Sequence, residues 1–226
     1  MLFIFDCDGV LVDSEIIAAK VDSLYFREAG YEITPEEVTR RFAGLTSRMI
    51  VDIVAAEIGH PLPDDFFENT KREIDRRLAT ELTAVPGVYE MLDRLDGLRC
   101  VASNSTSERL KISLEKTRLY DHFKPHIFSA VEVADKRPKP APDVYRYAVR
   151  QFGVEPRDAI VVEDSVFGVQ AAKAAGTRVI GFTGGAHTWP GHADVLTEAG
   201  AETVIRRLAD LPKVAEAFMA WSETGD

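Results

Sequence analysis

The stretch Leu2 to Glu15, LFIFDCDGVLVDSE, constrains this chain more than any other. It begins with an unbroken apolar run, Leu2-Phe3-Ile4-Phe5, the pattern of a strand covered on both faces. The run stops at Asp6-Cys7-Asp8-Gly9. Side chains two apart on an extended backbone point the same way, so Asp6 and Asp8 converge while Cys7 faces away. Gly9 lets the chain turn at once. Two carboxylates at the end of a buried strand repel each other, and a proton or cation has to offset that repulsion. Hard oxygen ligands suit Mg2+. A lone D-x-D-G is also an ordinary polar turn, so the argument rests on three further polar clusters at later strand ends.

Beyond Ser14 the pattern turns helical. Residues 15–29 carry Ile17, Val21, Leu24 and Tyr25 at helical spacing, closed by Gly30. Thr34 and Glu37 form a capping box around Pro35 at the first helical position. Helical patterns continue over about 47–58 and 64–80, and no strand is readable between Ser14 and Ala84. Pro86-Gly87 then leads to a helix over 88–95 and a strand at 99–102. Helices near 106–117, 142–151 and 165–175 alternate with strands near 127–129, 159–162 and 178–181, and with a late strand near Val204-Ile205. This order predicts an α/β fold, a parallel sheet with helices on both faces, and a helical unit inserted in the first crossover. Ligands in such sheets bind beyond the strand C-termini.

The second cluster is Ser103-Asn104-Ser105, a strand end entering a helix and a natural anion site. Ser105 and Glu108 also fit a capping box, whereas Ser103 sits too early to cap. The third is a basic loop stiffened by prolines, Lys136-Arg137-Pro138-Lys139-Pro140-Ala141-Pro142-Asp143. The fourth is Glu163-Asp164-Ser165, where Asp164 or Ser165 also suits a helix N-cap.

Together, FDCDGVLVDSE, the serine cluster, K-P-x-P-D and E-D-S-x-x-G resemble the four motifs of the haloacid dehalogenase-like phosphohydrolases. The similarity is closest to the subgroup of β-phosphoglucomutase and sugar-phosphate phosphatases. It implies a Rossmann-like core over 1–14 and 86–226 and a helical cap over 15–85. It further implies Asp6 as nucleophile, Asp8 as general acid and base, and Lys139 as the cation that offsets Asp6 and phosphate. Ser103 and the Asn104 backbone would bind phosphoryl oxygens. Asp6, Asp8, Glu163 and Asp164 would hold Mg2+. Asp143 would steady the lysine loop, and Gly168 would permit close helix–sheet approach. Lys136 and Arg137 are expected at the surface. In the cap, the loop 42–48 matches the one that reaches the site, giving Gly44 and Arg48 as substrate-binding candidates, with Lys71 a weaker one.

The expected substrate is a small polar phosphomonoester. A mutase carries a histidine and an arginine where this chain has Ala18 and Ser47, which favours a hydrolase. A receiver-like phospho-acceptor module shares the acids, hydroxyl and lysine but fits the inserted helices poorly. The loop His187-Thr188-Trp189-Pro190-Gly191-His192 reads as polar, with no site.

The formal net charge of −10 argues against nucleic-acid or anionic-membrane partners. With 46% hydrophobic residues the chain has material for a sizeable core. Cys7 and Cys100 lack a CxxC spacing and suit a reducing cytoplasm. The start reaches Asp6 without a basic region, unlike a signal peptide, and no apolar run has transmembrane length. A monomer is expected.

Overall fold

A computed structural model describes residues 1–42 and 47–223. Six strands, β1 (Leu2–Phe5), β2 (Leu98–Ser103), β3 (Ile127–Ser129), β4 (Ala159–Glu163), β5 (Arg178–Phe182) and β6 (Thr203–Ile205), form one sheet. Their order is β3-β2-β1-β4-β5-β6, and every pairing is parallel. The chain therefore moves outward from β1 in one direction, returns, and continues from β4 on the other side. That reversal makes the C-terminal end of β1 the topological switch point, where such sheets bind ligands. Phe5 lies opposite both Val101 and Val162, which brings Asp6, Ala102 and Glu163 to one level.

The unbroken apolar run of β1 has a direct cause. Phe3 and Phe5 enter one core, with Val88, Met91, Leu110, Leu114, Phe123 and Leu208. Leu2 and Ile4 enter the opposite one, with Tyr145, Val169 and Ala172. The first core is closed by helices α5 (Val88–Arg94), α6 (Ser107–Lys116), the short α7 (Tyr120–Phe123) and α11 (Leu211–Glu223). The second is closed by α8 (Asp143–Phe152), α9 (Val166–Ala175) and α10 (His192–Ala199). Helices α7, α10 and α11 escape the sequence pattern: the first two are short, and α11 follows its strand through a 3-10 turn, Leu208–Asp210.

Between β1 and β2 lie α1 (Ser14–Glu28), α2 (Pro35–Phe42), α3 (Ser47–Ile58) and α4 (Phe66–Glu81). They have an apolar cluster of their own, including Phe26, Val38, Phe42, Val54 and Phe66, with Phe26 stacked on Phe66 at 5.2 Å between ring centres. The capping box at α2 is formed, Thr34 N–H donating to Glu37 and Glu37 N–H to Thr34 Oγ1. The two chain crossings are tied to each other: Asp13 N–H donates to Thr83 O and Val85 N–H to Leu11 O, each over 3.0 Å. Among the described residues, no helix is long and apolar enough to cross a membrane.

Candidate active site

Asp6 follows directly on β1, and its N–H continues the ladder to Val162 O. Its side chain is 10% exposed. Cys7 is fully buried in the core below, so the expected alternation holds. Gly9 adopts a left-handed φ of +82°, and its N–H closes a turn to Val12 O. A Cβ at this position would overlap Asp164.

Lys139 reaches this point from the loop before α8. Its ammonium donates to Asp6 Oδ1 (2.6 Å), Glu163 Oε1 (2.6 Å) and Ala102 O (2.8 Å), using all three protons. The side chain is 3% exposed. Burial alone would lower the Lys139 pKa, but Asp6 and Glu163 outweigh it and hold the ammonium well above its ordinary value. Burial pushes the Asp6 carboxyl up; Lys139 opposes that, and Glu163, Asp164 and Asp8 add to it.

The loop that presents Lys139 is fixed at two points. Asn104 Oδ1 accepts from the Lys139 N–H at 2.8 Å, so the Asn104 side chain anchors the lysine loop. Asp143 accepts from Arg137 at 2.7 Å, a contact that holds its carboxyl below the usual range, as befits a loop-steadying residue. Arg137 is thus paired, although its side chain remains 59% exposed.

Asp8 is held by three hydroxyls. Ser14 donates to Oδ1 at 2.7 Å, while Ser103 and Ser105 donate to Oδ2 at 3.2 and 2.8 Å. Here one expectation is corrected. Ser105 does not cap α6 with Glu108; Thr106 takes that place and accepts from Arg109 N–H, because the Ser105 hydroxyl turns inward to the carboxylate.

Glu163 is fully buried, and both its oxygens are engaged. Oε1 accepts from Lys139 and the Tyr145 hydroxyl, and Oε2 from the Ser165 N–H and hydroxyl. Its visible task is to hold Lys139. Gly168 leaves the necessary room, since a Cβ there would overlap the Glu163 carboxylate. Ser165, not Asp164, caps α9, accepting from Gly168 N–H.

The loop after β5 departs most from expectation. It was expected to be a polar loop without a site, yet His187 and His192 are 7% and 2% exposed. His187 Nε2 lies 2.8 Å from Asp164 Oδ2, and His192 Nε2 lies 2.7 Å from the Asp164 carbonyl oxygen. Trp189 stacks on the His192 ring at 3.8 Å. Burial would lower the His187 pKa, but Asp164 holds it above its ordinary value. Nothing in the spacing of the two histidines signals this fold-back, which needs the β5 end to lie beside the β4 end.

Asp6, Glu163 and Asp164 each offer a carboxylate oxygen, all within 4.8 Å of one another. For positive charge these three buried acids face only the Lys139 ammonium and the His187 ring, and no further side chain among the described residues donates to Asp6 Oδ2 or Asp164 Oδ1. Asp6 and Asp164 keep an oxygen open to a divalent cation, whereas Glu163, expected to help hold Mg2+, has both oxygens taken by Lys139, Tyr145 and Ser165. The cap candidates stand apart from it. Gly44 lies outside the described residues. Arg48, in the first turn of α3, has its side chain 80% exposed and pairs with Asp52 at 3.4 Å, and Lys71 is exposed on α4.

The model of the haloacid dehalogenase-like hydrolase family matches residues 3–182. The chain belongs to the haloacid dehalogenase-like hydrolases. It is 35% identical over 187 residues to the 6-phosphogluconate phosphatase of Escherichia coli K12, covering 82% of this chain and 84% of that one. It is 32% identical to the phosphorylated carbohydrates phosphatase of Thermotoga maritima, covering 90% and 93%. A solved haloacid dehalogenase-like protein from Agrobacterium tumefaciens is 51% identical, with a TM-score of 0.94 and coverage of 97% and 98%. The protein is a phosphatase of this family, and the receiver-like alternative falls away.

Proposed function

We propose that the protein is a Mg2+-dependent hydrolase of small polar phosphomonoesters, namely sugar, sugar-acid or polyol phosphates, acting through an aspartyl-phosphate. The observation that carries this reading is Lys139 joining Asp6 to Glu163 at the switch point, with Asp8 two residues on, held by serines of the β2 loop. The carbohydrate-phosphate names of the two relatives support the substrate class.

Asp6 attacks phosphorus through a carboxylate oxygen. The bond from phosphorus to the ester oxygen breaks, and that oxygen takes a proton from Asp8. Asp8, now ionised, takes a proton from water; the water oxygen attacks the phosphorus, and the bond to Asp6 breaks. Inorganic phosphate leaves and Asp6 is regenerated. Lys139 offsets charge on Asp6 and the phosphoryl oxygens throughout. Ser103 and Asn104, at the same strand end, bind those oxygens. Asp6, Asp164 and the Asp8 backbone carbonyl would hold Mg2+, with Glu163 adding negative charge, and the ion would supply transition-state charge stabilisation.

Residues 15–85 act as a cap on the core 1–14 and 86–226, hinged where Asp13 meets Thr83 and Val85 meets Leu11. Closure expels water and brings Arg48 to the leaving group.

Phosphate release from a panel of sugar, sugar-acid and polyol phosphates, with and without Mg2+, tests the reading. Metal-dependent release is expected, absent in Asp6→Asn. Undiminished turnover in Asp6→Asn would overturn the aspartyl-phosphate route. Isomerisation of β-glucose 1-phosphate without release would make the protein a mutase.

A further inference from the structure

We infer that His187 selects the cation by controlling how Asp164 can bind it. This rests on the proposed cation site and goes beyond it by assigning a positioning residue outside the four sequence motifs.

His187 Nε2 occupies Asp164 Oδ2 at 2.8 Å, and both side chains are 6% exposed. No other side chain among the described residues donates to the Asp164 carboxylate, which leaves Oδ1 facing a cation. The ring is held in place from two sides. A Cβ on Gly9 would come within 2.8 Å of His187 Cε1, and one on Gly185 within 2.7 Å of Cε1 and Nδ1. Ala186, the residue between, donates its N–H to Asp13 Oδ1 at 2.8 Å, which pins the loop to the hinge segment. The neighbouring His192 grips the Asp164 carbonyl oxygen at 2.7 Å. Main chain and side chain of Asp164 are therefore both fixed by the loop after β5 and the start of α10.

The consequence follows from ion size. Mg2+ takes carboxylates one oxygen at a time in a tight octahedron, whereas Ca2+ accepts two oxygens of one carboxylate and more ligands in all. A donor clamped on Oδ2 blocks the two-oxygen mode at Asp164. His187 thereby favours the smaller cation, and losing it relaxes the choice. Outer partners of metal ligands commonly change affinity by about 10–100-fold when removed.

The test measures Mg2+ and Ca2+ affinities by calorimetry for the full-length wild type, His187→Gln and His187→Asn. Gln can place an amide N–H near the position of Nε2; Asn is polar but too short. Melting temperature in metal-free buffer checks that each variant folds. In His187→Asn, Mg2+ affinity is expected to fall about 10-fold or more while Ca2+ affinity holds or rises. In His187→Gln the Mg2+/Ca2+ ratio is expected to return close to wild type. An unchanged ratio in Asn, or equal loss in Asn and Gln, overturns the inference while leaving the cation site standing. A wild type that binds neither ion overturns the cation site and the inference with it.

Discussion

Lys139 Nζ and Glu163 Oε1 lie 2.6 Å apart with both side chains out of water, and Asp6 Oδ1 is equally near on the other side of the ammonium. A buried cation between two carboxylates is stable only as a set, because each member desolvated alone is costly. Lys139→Met should therefore lower stability by about 3–5 kcal/mol by leaving acids unpaired. Turnover should fall about a thousandfold, as when a preorganised charge-stabilising donor is lost. Adding Glu163→Gln should recover part of the stability and none of the turnover. Denaturant melts and phosphate release on the single and double variants check this; full recovery of both would contradict it.

Ser14 stands at the start of α1 and donates to Asp8 Oδ1 at 2.7 Å, linking the first inserted helix to the proposed acid–base group. Ser14→Ala leaves Asp8 its two other hydroxyls, so the stability loss should be only about 1 kcal/mol. Turnover should drop about 10-fold through misorientation of Asp8, with KM changing less. Steady-state kinetics beside a urea melt would separate the two effects.

Gly168 owes its identity to Glu163 rather than to its own backbone, since a Cβ would overlap the Glu163 carboxylate. Gly168→Ala forces either α9 or Glu163 to move, with a cost of about 3 kcal/mol or more, although alanine is the better helix former. Because Glu163 holds Lys139, activity should fall as well. A soluble, fully active Gly168→Ala enzyme would show that the helix can shift freely.

Asp22, on α1, has no hydrogen-bond donor among the described residues, and burial pushes its carboxyl up to about 6. Between about pH 4 and pH 6 the folded state keeps a proton that the unfolded chain has lost, so stability falls as pH rises through that window. Asp22→Asn should remove the fall and stabilise the protein at pH 7 by about 1–3 kcal/mol. At pH 4 the two proteins should converge. Thermal melts across pH would register either outcome.

The order of the strands, most of the helices, the inserted helical stretch, the placement of Asp6, Asp8, Ser103 and Asp164 at or just past strand ends and of Lys139 in a proline-bracketed loop were legible in the chain. Each is a local matter: apolar runs of strand length, acids at alternate positions after one, prolines bracketing a lysine. The parallel sheet followed from alternation alone. The misreadings at Ser105 and at the His187–His192 loop share a cause. A serine near a helix start has two possible partners, its own backbone or a distant carboxylate, and short-range pattern favours the nearer one. Only the arrival of β1 beside β2 places Asp8 within reach of Ser105, and only the pairing of β4 with β5 lays His187 against Asp164. The saturation of Glu163 by Lys139, Tyr145 and Ser165 is of the same kind, since Lys139 and Tyr145 approach from the far side of a crossover. Sequence determined which chemistry-bearing residues stand at strand ends, because strand ends are set by local hydrophobic pattern. Tertiary structure decided which of them touch, because hydrogen bonds across parallel strands depend on register and strand order.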